Sequence, residues 1–234
     1  MNPEIKHVKP EYEVTIGSAF FNIIKKRTNN EIIYEPTVIE TPVIKTLGLS
    51  RTVSELPIYA SGILFDYLSR TAGAQIALSA VVLPRELLDK IAGALIKAGF
   101  TFDSTNDITK EFAFGYWGEN SDGSFVYCWH PVCKLIPTEE THKTRTEDIE
   151  APERSYTIKV MPYNNLWRVR YNTTDDEAAG YLPIGKEVFF LNPIYKESQI
   201  PQRLPAPEPQ AAATPLAAAT EVKTAEKPST KADK

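Results

Sequence analysis

The sequence predicts a mainly β protein with one packed helix, an antiparallel α+β fold of sandwich or barrel-like form. Three observations predict it. Most apolar runs alternate with period two, clusters of Asn, Asp, Gly and Pro separate them, and only residues 84–98 carry a helical period. A 234-residue chain that is 42% hydrophobic can bury a proper core as one large β-rich domain or two small ones.

The segment Ala74 to Phe100 organises the rest. Ile76, Leu78, Ala80 and Val82 share one face of a strand. Pro84 then suits a first helical position, and Leu87, Leu88, Ile91, Ala92 and Leu95 recur at three- and four-residue intervals. Gly99 stands where a left-handed cap would close a helix over 84–98, with Phe100 folding back on its last turn. Burying Leu87, Leu88, Ile91 and Leu95 contributes about 6 to 12 kcal/mol before ordering entropy is subtracted. Such a helix must lie on a sheet.

Residues 1–11 read as a flexible arm. Tyr12, Val14 and Ile16 alternate, and an apolar strand follows from Ala19 to Ile24. Thr28-Asn29-Asn30 makes a turn before Ile32 to Tyr34, and Pro36 and Pro42 keep the next stretch extended. Leu47, Leu49 and Val53 alternate before an expected loop at Leu56-Pro57 and a short strand Ile58 to Ala60. Ile63 to Leu68 reads as a further strand. Phe112 to Trp117 and Phe125 to Trp129 form the clearest hairpin, turned at Asn120-Ser121-Asp122-Gly123. Pro137 to Glu153 is a long charged connection. Tyr156, Ile158 and Val160 open a second expected hairpin, turned at Tyr163-Asn164-Asn165 and returning through Trp167 to Tyr171. Asp175 to Glu177 reads as a loop, Glu187 to Leu191 as a last strand, and residues 201–234 as a disordered Ala/Pro/Lys-rich tail.

The net charge is −4, and the tail carries five basic and four acidic residues, so the rest is slightly more acidic still. That balance argues against a protein built to grip nucleic acid. The N-terminus lacks a signal-peptide apolar region, and no long apolar run suggests a membrane span. Cys128 and Cys133 give no disulfide framework and fit a reducing compartment.

Cys128, His130 and Cys133, with His142, form the best metal candidate, but Cys133 leaves the shared face unless Pro131 introduces a bulge. The spacing favours strand residues that pack. A Cys133–His130 nucleophile and base would lack an elbow or oxyanion loop, and Glu139-Glu140 and Asp175-Asp176 read as solvated charge. Trp117, Trp129 and Trp167 could stack on sugars in a carbohydrate- or surface-binding module, although hairpin aromatics are usually core. No cofactor or metal is expected.

In order and spacing, certain stretches resemble the major tail tube proteins of long, non-contractile-tailed bacteriophages. They are Gly17-Ser18-Ala19-Phe20-Phe21-Asn22-Ile23-Ile24, Ile58-Tyr59-Ala60-Ser61-Gly62, AQIALSAVVLPRELLDKIAGA, FAFGYWGENSDGSFVYCWHPVCKL and KTRTEDIE, together spanning roughly residues 12–172. The resemblance implies a non-enzymatic virion protein whose homo-hexameric rings stack into a tube for DNA ejection, assembled in the host cytoplasm. Its implied partners are further copies of itself, a tape measure protein, a tail terminator and distal tail or baseplate proteins. DNA would pass without specific binding, and no membrane is involved. Exposed strand edges and charged segments suit such joins, so Arg51, Glu55, Glu139, Glu140, Lys143, Arg145, Glu147 and Asp148 are the expected inter-ring contacts.

Overall fold

The computed structural model describes residues 12–137 and 153–206. In chain order the elements are β1 (Glu13–Arg27), β2 (Ile32–Tyr34), β3 (Ile39–Thr41), β4 (Ile44–Ala60), β5 (Ile63–Ala80), α1 (Arg85–Ala92), β6 (Leu95–Lys97), β7 (Phe100–Phe102), β8 (Phe112–Asn120), β9 (Phe125–Ile136), β10 (Arg154–Val160), β11 (Val169–Asn172), α2 (Thr173–Ala178) and α3 (Lys186–Phe189). The fold is mainly antiparallel β with few helices, as the alternation predicts.

One nine-stranded sheet carries almost everything, in the order β2-β1-β8-β9-β10-β5-β4, with β3 also on β1 and β11 also on β9. The run from β3 to β4 makes the corner. Ile39 to Thr41 pair with β1, and after Pro42 and Val43 the same chain pairs with β5. The sheet therefore curls around a shared interior without closing into a barrel.

Alternation puts different aromatics on the two faces of β1, β8 and β9. Phe21, Phe112, Phe114 and Tyr116 face inward, against Ile76, Leu78 and Ile158 of the neighbouring strands and Leu87 and Ile91 of α1. Phe20, Tyr127 and Trp129 face outward and are covered by Ile184, Phe189, Phe190 and Ile194. The β8–β9 turn forms as expected. Gly123 takes φ 83°, and Asp122 accepts from the Ser124 N–H at 3.0 Å.

Several expectations need correction. The helix ends at Ala92, not 98, because Gly93 takes φ 80° and its N–H closes onto the Asp89 carbonyl. Leu87 and Ile91 are buried and Leu88 is half-buried, whereas Leu95 sits in β6, 63% exposed and opposite Phe102. Gly99 serves the turn between β6 and β7, beside Ala98 at φ 49°. Val82 is exposed because β5 ends at Ala80, before the alternation reaches it.

The second expected hairpin is divided. Asn164 and Asn165 do turn with positive φ, but β10 pairs with the C-terminal half of β9 and β5, while β11 pairs with the N-terminal half of β9. Asp175 to Glu177 lie in α2 rather than a loop, and the expected last strand is replaced by α3. Residues 201–206 are held in place. Leu182 N–H bonds the Leu204 carbonyl, Ala206 N–H bonds the Gly180 carbonyl, and Arg203 pairs with Asp176 at 3.2 Å. The arm over 1–11 and the tail from 207 lie outside the described residues.

Candidate assembly surface

β4 and β5 form one long hairpin, and its outer part stands apart from the core. Leu56-Pro57 is not a loop: pairing continues from Ile44 through Ala60, with Leu56 opposite Leu68 and Pro57 opposite Tyr67. Ser61 and Gly62 make the turn with φ 54° and 78°. The base is anchored, since Leu47 and Leu49 pack with Ile76 and Leu78 against the interior. From Arg51 to Arg70 every residue is exposed.

The stretch Val53 to Ala60 reaches about 25 Å at about 3.3 Å per residue. Apolar side chains crowd it: Tyr59, Ile63 and Phe65 are 67%, 72% and 76% exposed, and Leu56, Leu64 and Leu68 are also largely open. A free two-stranded ribbon is marginal in water, and apolar patches of this extent mark interaction sites. Asp66 Oδ1 accepts from the Tyr67 N–H at 2.7 Å, and a hydrogen bond to Glu55 raises the Tyr67 hydroxyl pKa.

Of the expected inter-ring contacts, Arg51 and Glu55 both lie on this hairpin. Glu139, Glu140, Lys143, Arg145, Glu147 and Asp148 lie outside the described residues. Arg51 reaches over the Trp167 ring at 5.6 Å, and Arg168 lies at 4.8 Å from the same ring. The role of Trp167 as a platform for arginines was not read from the sequence, because β11 pairs away from β10 and brings Trp167 toward β4. The continuous exposed ribbon was also missed. Its available signal was Ser61-Gly62 with apolar residues on both sides, which suits a two-residue turn.

The bulge needed to bring Cys133 to the face of Cys128 and His130 is present, since Phe112 pairs with Cys133 but Phe114 with His130. Burial nevertheless pushes both thiols up, away from the thiolate that zinc requires. The Cys133 thiol faces the His130 carbonyl at 3.6 Å, and the His130 Nδ1 lies 3.1 Å from the Trp167 carbonyl. Burial lowers the His130 pKa to about 4. Among the described residues no three His, Cys, Asp or Glu side chains converge on a metal position, and His142 lies outside them.

The tryptophans are packing residues in large part. Trp129 is fully buried and donates to the Phe189 carbonyl at 3.2 Å, while Trp117 and Trp167 are half-buried. Asp176 is buried between Tyr171 and Arg203, with Asp175 exposed beside it. A cleft of about 420 Å³ beside Tyr34, Asn192 and Tyr195 has its hydroxyls committed to the Pro131 and Ile32 carbonyls. Among the described residues no helix is long and apolar enough to cross a membrane.

No family model and no curated protein matches the chain.

Proposed function

We propose that this chain is a structural subunit that polymerises head to tail into hexameric rings stacked as a tail tube, the conduit for DNA ejection from a virion. The observation that carries this reading is the β4–β5 ribbon, whose apolar residues no other described residue covers. A second copy is the natural occupant. Among the described residues β4 is the last strand of the sheet, and its outer edge offers backbone donors and acceptors to a neighbour. A ribbon that projects from one subunit onto a different surface of the next makes a heterologous contact, which closes into a ring or continues as a filament. The sequence resemblance supplies the class of polymer and its partners, including tape measure, terminator and distal tail proteins. The mild net negative charge suits a conduit that DNA crosses without counterion-release binding.

The test is a Leu64→Ser/Phe65→Ser double substitution on the exposed ribbon. Sedimentation should find a folded monomer with an unchanged melting temperature where the wild-type chain forms large assemblies. Wild-type-like assembly by the double variant would overturn the assignment of the ribbon.

A further inference from the structure

The chain carries a second exposed two-stranded piece, at the far end of the sheet from the first. β5 runs from the Ser61-Gly62 turn to Ala80, and α1 begins at Arg85 just beyond it. β6 and β7 lie against α1, where Thr101 Oγ1 donates to Asp89 Oδ2 at 3.2 Å and accepts from Arg85 Nη2 at 3.1 Å. Leu95 pairs with Phe102 and Lys97 with Phe100, so alternation puts these four side chains on the face that Thr101 does not share. Leu95, Phe100 and Phe102 are each more than half exposed, and the two phenyl rings lie 6.4 Å apart.

The β4–β5 ribbon is apolar on both faces. Leu56 meets Leu68 on one face and Pro57 meets Tyr67 on the other, and a register shift after Ile58 sets Tyr59 opposite Leu64. Its most exposed side chains, Tyr59, Ile63 and Phe65, crowd the turn. β5 has 18 residues. At about 3.3 Å each they separate that turn from the β6–β7 end by about 50 to 60 Å, so neither patch covers the other within one molecule. The stretches 1–11, 138–152 and 207–234 are poorly composed to cover them. Their large apolar residues are Met1, Ile5, Val8, Ile149, Leu216 and Val222, and they contain no aromatic residue. Exposed rings pack best on other rings, and each copy offers them at both ends.

We propose that the Leu95, Phe100 and Phe102 face of β6–β7 receives the ribbon turn, Tyr59 to Phe65, of a second copy of this chain. The proposal rests on the tube-subunit reading and adds the receiving surface. Because the two surfaces stand at opposite ends of β5, joined copies follow one another along the strand direction, and every added copy presents both surfaces again.

The test uses the full-length chain, with polymer read by sedimentation and electron microscopy. Phe100→Ser/Phe102→Ser should lower polymer yield about tenfold or more, as losing aromatic anchors of an interface does, with the melting temperature unchanged. Mixed one to one with Leu64→Ser/Phe65→Ser, it should form a two-copy complex that neither variant forms alone, since one intact ribbon and one intact receiving face remain. Covalent capture gives a second readout. Cys128 and Cys133 are buried, so a short bismaleimide should join Ile63→Cys chains to Phe102→Cys chains in a mixture of the two. If Phe100→Ser/Phe102→Ser melts early, the capture decides. Wild-type-like polymer from a folded Phe100→Ser/Phe102→Ser variant, or no capture in the mixture, overturns the receiving surface and leaves the subunit reading standing. Capture within a single monomeric chain that carries both cysteines shows the ribbon folded back on its own β6–β7 face and also overturns it. A wild-type chain that never polymerises removes both readings.

Discussion

His130 lies against Trp167, ring centroids 5.9 Å apart, and its Nδ1 bonds the Trp167 carbonyl at 3.1 Å. That carbonyl needs a donor, so Nδ1 carries the proton. The other nitrogen, Nε2, is buried with no hydrogen-bond partner among the described residues, and burial holds the pKa near 4 against an ordinary 6.5. The neutral ring is the folded form.

Stability should therefore depend on acid in a defined direction. The folded state resists protonation that the unfolded state accepts, so the His130 contribution is intact above pH 6.5 and declines as pH falls toward 4. The full loss is of the order of 3 kcal/mol. Melting curves from pH 7.5 to 4.5 should fall less steeply for His130→Phe than for wild type. Parallel curves would contradict the neutral assignment.

The corrected helix boundary separates Leu87 from Leu95. Leu87 is fully buried under the sheet and Leu95 is 63% exposed in β6. Leu87→Ala should cost about 2 to 5 kcal/mol, while Leu95→Ala should stay within about 0.5 kcal/mol in denaturant titration of the unassembled protein. Equal losses would restore the longer helix.

Close packing at Gly115 gives a sharper comparison. A Cβ there would lie 2.8 Å from the Trp129 ring and 3.0 Å from Phe190, whereas at Gly48 the nearest atoms are 3.9 Å away. Gly115→Ala should destabilise by about 1 to 3 kcal/mol, and Gly48→Ala should be close to neutral by the same titration.

Asp176 ties the C-terminal segment to the body by accepting from Tyr171 Oη at 2.9 Å and pairing with Arg203. Asp176→Ala should cost about 3 kcal/mol or more and expose residues 181–206 to limited proteolysis. Arg203→Ala should cost less, because Arg203 is 41% exposed. Unchanged cleavage in Asp176→Ala would show that the apolar contacts of Phe189 and Phe190 hold the segment alone.

Local chemistry was legible in the sequence where it decides structure by itself. The Asp122-Gly123 turn sets the β8–β9 register, and alternation along Phe112 to Tyr116 and Tyr127 to Trp129 sorts the aromatics onto two faces. Leu95 misled because it continued a helical spacing that Gly93 had already ended at positive φ. The split of β10 and β11 along β9 was hidden, since alternation shows which face a strand buries but not its neighbour. The ribbon was hidden for a related reason: period two reads the same with or without a core behind it.

The most direct test is electron microscopy of the purified full-length chain over a range of concentrations. The account predicts hollow filaments of stacked rings that lengthen with concentration. Monodisperse single subunits at every concentration, also in the presence of tape measure and terminator proteins, would contradict it.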